Sequence, residues 1–412
     1  MENLSPIERG LKAKGIGPKG LKPIDKDTLV EIFRQLVEGE LQEELVATFL
    51  MGYRVLENDP EQISMLDSVF EEFSSKLSSS LRVILEESSD DALGKVEGWL
   101  EALKRNSDLS IADCRGVIDY LLSAEGDNSF KAALLQGLRV KRESDEENKA
   151  LLGRLLELAP HERLPYPSVI DLSEPYDGMT RNENLSLELA VILSLMGEKV
   201  VLHGVRGLGP KFGKGILDRV DAGVRCDAFL GKAAIEEAGL AILDQAQIWP
   251  EFNSLLELRN KIKKRPFLAT MEKMLLPFAG ESSLLVTGYV HSAYRDSIPS
   301  MLMANGIDKF MLVKGLEGGV QLRGGGKTEV FFPNEGSIES EMLEVEIDGE
   351  ASHWEKGGVL STAQAILKFG LGREVGASTI LDMKAMMVDG RFEKRMELIR
   401  EFYPEPKTEE LH

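Results

Sequence analysis

Two stretches of this chain read alike in register. LVATFLMGYRVLENDPEQI and FKAALLQGLRVKRESDEEN share Ala47, Leu50, Gly52, Arg54 and Val55 with Ala132, Leu135, Gly137, Arg139 and Val140, at a constant offset of 85 residues (Gly52 to Gly137). Upstream, Phe33, Leu36 and Val37 face Ile118, Leu121 and Leu122 at the same offset. Apolar residues recur here at spacings of three and four, and glycine or polar breaks separate the runs. That is the pattern of amphipathic helices. The first 160 residues therefore read as an all-helical domain built from a duplicated helical unit, about 25–75 and 108–158. A serine-rich, acidic stretch, SSKLSSSLRVILEESSDDALGK, separates the copies.

From about residue 165 the period changes. Short apolar or β-branched runs (SVIDL, KVVLHG, SSLLVTGYV, KFMLVKG) alternate with helical ones such as LSLELAVILSLMG. Alternation of this kind predicts βαβ units, hence an α/β domain over 165–405 with a mostly parallel central sheet flanked by helices. VQLRGGGKTEVFFP and MLEVEIDG predict an antiparallel addition before the last helices. A chain of 412 residues exceeds what one core usually holds, in keeping with two domains.

The formal net charge is -20, from 69 acidic and 49 basic residues, which works against general attraction to nucleic acid or anionic membranes while leaving room for a local basic face. The arm RGLKAKGIGPKGLKPI carries Arg9, Lys12, Lys14, Lys19 and Lys22 and no acidic residue, a composition suited to nucleic-acid phosphates. Cys114 and Cys226 lie far apart with no CxxC or His/Cys cluster, so neither a disulfide framework nor a zinc site is expected. The first residues lack the apolar core of a signal peptide and no run is long enough to span a membrane, which predicts a cytoplasmic protein.

In an open α/β sheet ligands gather beyond the carboxyl ends of the strands. After SVIDL come Ser173, Glu174, Pro175, Tyr176, Asp177 and Gly178, then Asn184 and Ser186 before a helix. After KVVLHG comes VRGLGPKFGKG, where glycines can turn backbone amides inward and Arg206, Lys211 and Lys214 offer charge to a phosphate. A third cationic stretch is LRNKIKKRPFLATMEKMLLP, basic at four of the five positions from Lys261 to Arg265.

The order of these motifs resembles the anthranilate phosphoribosyltransferase family (glycosyltransferase family 3), related to the pyrimidine nucleoside phosphorylases. The second helical copy is similar to that family's AxLxALRxKGET helices. Its GTGGDG loop, which wraps the pyrophosphate of phosphoribosyl pyrophosphate, falls on SEPYDG and keeps Asp177 and Gly178. NIST falls on residues 184–187, keeping Asn184 and Ser186. KHGNR falls on residues 202–206, keeping His203, Gly204 and Arg206; Lys211 and Gly213 follow. The resemblance makes these nine residues the candidate phosphate-binding set and Arg265 the acceptor-binding residue, and it assigns no catalytic residue. The family's metal-holding Asp-Glu pair falls on Gly319 and Val320, with Glu317 alone remaining close; Mg2+ stays a candidate cofactor although that pair is not retained.

The expectation is a divergent member binding a phosphate-bearing ligand, phosphoribosyl pyrophosphate or single- or double-stranded nucleic acid, rather than a tryptophan-pathway enzyme. An active phosphoribosyl transferase acting on an aromatic acceptor such as anthranilate is the alternative, and a nucleoside phosphorylase the third reading. The resemblance also implies a homodimer formed through the helical domain.

Overall fold

A computed structural model describes residues 4–86, 94–206, 213–220, 225–262, 265–345, 354 and 357–403. The chain divides into two compact units: Met1–Leu155 with Ser254–Leu268, and Leu156–Asn253 with Ala269–His412. The first unit thus takes up the second half of a helix, Pro250–Ile262, that the sequence alone places inside the α/β region.

Among the described residues, the helices of the N-terminal region are α1 (Pro6–Lys14), α2 (Lys26–Val37), α3 (Glu43–Leu56), α4 (Pro60–Phe73), α5 (Ser79–Leu85), α6 (Lys95–Lys104), α7 (Ile111–Leu122), α8 (Asn128–Lys141) and α9 (Asp145–Leu158). The repeat is carried into the backbone: α7, α8 and α9 begin and end 85 residues after α2, α3 and α4. Their starts are fixed alike. Asp25 caps α2 through the Thr28 N–H, and Ser110, its counterpart, caps α7 through the Asp113 N–H. Gln62 accepts the Ile24 N–H at 2.9 Å, and Glu147 accepts the Leu109 N–H at 2.8 Å, again one offset apart.

The central pair is α3 against α8, with α1 on α3 and α6 on α8. The shared glycines make room for these approaches. A Cβ on Gly52 would lie 2.6 Å from the Lys14 carbonyl oxygen, and one on Gly137 would lie 2.7 Å from the Met51 methyl carbon and 3.0 Å from a Leu103 methyl.

In the second unit seven strands form one sheet in the order β4-β3-β2-β6-β7-β8-β9, where β2 is Ser168–Ser173, β3 Val200–Gly204, β4 Leu240–Asp244, β6 Ser282–Gly288, β7 Phe310–Val313, β8 Gly326–Asn334 and β9 Ser337–Val345. The first five in that order run parallel, and β8 and β9 are antiparallel. Two short strands, β1 (Glu162–Arg163) and β5 (Phe278–Ala279), pair separately.

Because alternate residues face opposite sides, Ile170, Leu172, Val200, Leu202 and Ile242 enter the main core beneath α10 (Ser186–Leu195). Val169, Val201, Ala241 and Leu243 enter a smaller core with Phe278 and with Ile235 of α11 (Ala228–Ala238). Asp171 and His203 share this second face by parity. Both sides of the parallel strands are thus covered, which explains why they read as continuous apolar runs. The chain steps outward from β2 to β3 and β4, then returns to place β6 on the other flank of β2, so the topological switch lies at β2 and β6. Among the described residues no helix is long and apolar enough to cross a membrane.

Candidate functional site

The loop that leaves β2 at the switch point is filled by its own side chains. Ser173 donates its hydroxyl to the Lys273 carbonyl. Glu174 is buried, and one carboxylate oxygen accepts the Val320 N–H at 3.0 Å while the Ser186 hydroxyl faces the carboxyl group. Burial raises the Glu174 pKa. Lys273 faces it as counter-charge and donates to the carbonyls of Gly288 and Gly318; burial pushes this ammonium down to about 8.

Tyr176 closes the floor. Its hydroxyl lies 2.6 Å from His203 Nδ1 and 2.9 Å from Gln245 Oε1, and His203 Nε2 lies 3.1 Å from Asp171 Oδ1. Tyr176 has a single hydroxyl proton, which is directed to Gln245 Oε1, and its oxygen stands beside His203 Nδ1. Asp171 and His203 have no solvent exposure and Tyr176 has 3%. His203 therefore sits in a sealed polar chain at the end of the sheet. Tyr176→Phe removes the phenol that both His203 and Gln245 use, and is expected to cost about 2 kcal/mol in urea denaturation.

The retained glycines of this region serve backbone packing. Gly178 has φ +65°, and a Cβ there would come within 2.3 Å of the Lys214 carbonyl carbon. A Cβ on Gly213 would strike Met179 backbone at 2.2 Å. The Gly213 N–H donates to the Asp177 carbonyl at 2.8 Å, and Met179 and Lys214 exchange two backbone bonds of 3.1 Å. The loop after β2 is thereby zipped to residues 213–215. Asp177 is buried, and Gly204 completes β3 opposite Asp244.

Arg206 is taken up locally. Its guanidinium donates to the carbonyls of Leu217 (3.0 Å) and Val220 (2.8 Å) and stands 3.4 Å from Asp244. Lys211 lies outside the described residues. Asn184 accepts the Ser186 N–H at 3.0 Å, which steadies the first turn of α10, and both side chains are buried. Two groups that no motif in the sequence marks complete this corner. Arg219 grips Glu188 with two bonds of 2.6 and 2.7 Å and the Asn184 carbonyl at 2.6 Å, and Gln321 accepts the Leu185 N–H at 2.8 Å.

Glu317, in the loop after β7, points its carboxylate into the turn after Gly178. It accepts the backbone N–H groups of Thr180 (2.9 Å), Arg181 (2.8 Å) and Asn182 (2.9 Å), the Thr180 hydroxyl (2.9 Å) and the Asn182 amide (2.9 Å). These donors outweigh its partial burial and hold its pKa down to about 2. Two carboxylates stand at the expected pair: Glu174, which accepts the Val320 N–H and lies beside Gly319, and Glu317, whose two oxygens are engaged by the amides of residues 180–182. No group of three or more His, Cys, Asp or Glu suited to a metal occurs among the described residues.

In the helical unit Lys14 is a correction to the arm reading. It is fully buried, paired with Glu57, bonded to Gln62 at 3.0 Å and placed 4.7 Å over the Tyr53 ring. Its position follows from helical periodicity, since Ile7, Gly10, Leu11 and Lys14 form one buried stripe of α1. Arg9, Lys12, Lys19 and Lys22 are exposed. Arg139 donates to the Gly15 carbonyl at 2.7 Å and to the Arg265 carbonyl at 3.1 Å, which brings the end of α1 and the exposed Arg265 together.

The helical unit and the mostly parallel sheet with crowded loops at its switch point form a fold found in solved proteins. No family model matches the chain. An uncharacterized protein of Aquifex aeolicus is 28% identical over 237 residues, 56% of this chain and 71% of its own. The anthranilate phosphoribosyltransferase of Caldanaerobacter subterraneus is 26% identical over 244 residues, 58% of this chain and 71% of its own. The Saccharomyces cerevisiae anthranilate phosphoribosyltransferase, solved in complex with PRPP and Mg, superposes with a TM-score of 0.56 at 14% identity, covering 75% of this chain and 98% of that one. The chain is thus similar to anthranilate phosphoribosyltransferases, in sequence at low identity over a little more than half its length and in fold.

Proposed function

We propose that this protein binds a phosphate-bearing ligand and does not transfer phosphoribosyl groups to anthranilate. The observation that carries the reading is the occupied loop after β2. Ser173, Pro175 and Tyr176 stand where the resembled loop has glycines and Glu174 where it has threonine, His203 is sealed behind them, and Glu317 saturates the amides of residues 180–182. Transfer from phosphoribosyl pyrophosphate requires backbone donors and a metal for the leaving pyrophosphate, and here the donors are engaged by the chain's own carboxylates. The relatives named for that activity, and the yeast enzyme solved with PRPP and Mg, support a phosphate-bearing ligand as the ancestral theme.

Nucleic acid is the ligand we favour, since the exposed cations Arg9, Lys12, Lys19, Lys22 and Arg265 lie on the helical unit and Arg139 joins the two segments that carry them. Incubation with phosphoribosyl pyrophosphate, Mg2+ and anthranilate, beside an active enzyme of the family, is expected to give no product; turnover would overturn the reading. A mobility shift with short oligonucleotides is expected at low salt. Replacing Lys12, Lys19 and Lys22 by glutamate should weaken it and lower the salt slope by roughly one for each lysine that meets a phosphate. Absence of any shift in the wild-type protein would remove nucleic acid as the ligand.

A further inference from the structure

The loops after β2 and β7 hold each other by exchanged carboxylates. Glu174 of the first reaches the Val320 N–H of the second, while Glu317 of the second takes three successive N–H groups of the first. Glu317 adopts φ +49°, a left-handed conformation that costs a non-glycine residue free energy. Its backbone is held in this state by the five donors its side chain meets. Three consecutive amides converging on one carboxylate make an anion-binding concavity. The Arg181 guanidinium stands 3.9 Å from the same carboxylate with its side chain 80% exposed, so positive charge flanks the concavity from solvent.

We propose that the Thr180–Asn182 amides and Arg181 form an oxyanion site of phosphate class, which the chain keeps closed with the tethered carboxylate of Glu317. A carboxylate on the same chain acts at high effective concentration, so a free anion must displace a ligand that never diffuses away. Phosphate differs from the plug in carrying more charge and a further oxygen, which Arg181 can reach from the exposed side. Displacement of Glu317 frees the loop after β7 from the loop after β2, so occupancy of the site and release of that loop are one event. The proposal rests on the reading that this sheet edge faces anions, and it is independent of nucleic-acid binding by the helical unit.

The test uses the full chain and inorganic phosphate as the probe, at constant ionic strength with chloride. Wild-type protein should melt at the same temperature with or without phosphate. Glu317→Ala should melt lower in chloride and recover saturably with phosphate, because the vacated amides then have an external ligand. Adding Arg181→Ala to that variant should weaken the apparent phosphate affinity about tenfold, the loss of one charge-assisted contact. If Glu317→Ala does not fold, Glu317→Gln serves. Its amide can offer only one acceptor oxygen to the same donors, and phosphate should displace it and raise the melting temperature. Variants that fold but show no phosphate-specific recovery would reduce Glu317 to a loop staple and overturn the proposal. The oligonucleotide shift of the same variants should equal that of the wild type. Phosphate recovery without any shift therefore sinks only nucleic-acid binding, and a shift without phosphate recovery sinks only the plug.

Discussion

Gly52→Val is expected to lower the stability of the helical unit by about 3 kcal/mol, read as an earlier first transition in urea denaturation. The added Cβ would lie 2.6 Å from the Lys14 carbonyl oxygen at the end of α1. A backbone atom there cannot rotate away, so α1 must lift from α3 and uncover the buried stripe that includes Ile7 and Leu11. Gly137→Val, at the equivalent position of the second copy, should cost less. Its neighbours are the Met51 methyl carbon and the Leu103 side chain, which can yield. Gly98→Ala provides the opposite sign. Nothing lies within 4 Å of a Cβ there, and replacing a glycine inside α6 should stabilise the protein by roughly 0.5–1 kcal/mol. Equal behaviour of the three variants would contradict the close approach of α1 to α3.

Stability should also rise as pH increases from about 8 toward 10.5, through Lys273. Its ammonium is buried and its native pKa is pushed down to about 8 from an ordinary 10.5. As pH falls, the unfolded chain takes up the proton near 10.5 and the native protein only near 8. Over that window the unfolded state binds more protons, so the free energy of unfolding increases with pH. Below about 8 both states are protonated and the burial cost is felt in full. The gain attributable to this one group is up to about 3 kcal/mol. Other groups titrate in the same range, so the measurement is the difference between wild type and Lys273→Met in denaturation at several pH values. The difference should change across the window and stay flat below it. A pH-independent difference would mean that Lys273 does not titrate there.

The duplication and the two-domain plan were legible because they rest on local signals: glycine, arginine and valine in register, and the switch from helical to strand periodicity near 165. Composition alone places Lys14 in the exposed arm, whereas the fold buries it. The spacing of Ile7, Leu11 and Lys14 already put that lysine on the buried face of α1. At the site, the sequence marks the loops after β2 and β3 but not the groups that the fold sets against their side chains. The glycines at 178 and 213 read as room for phosphate, yet the room is taken by the facing loop. Lys273 meets a loop 100 residues earlier in sequence, and Glu317 meets amides more than 130 residues away. No periodicity encodes such pairings; they follow from the strand order that brings β2, β6 and β7 side by side.

Two helical units whose helices recur at a constant offset along the chain carry a hazard of their own. Any surface of one copy that recognises the other can also recognise the corresponding copy in a neighbouring molecule, so exchange of helices between chains competes with correct closure during folding. What separates the outcomes is where the copies have drifted apart. Gln62 joins Lys14 and the backbone of residue 24, whereas its counterpart Glu147 takes an ion pair with Lys141. Lys141 itself stands where the first copy has Leu56. A buried charge that finds its partner in only one of two near-identical settings works as an address, and it tells each copy which half of the molecule it belongs to.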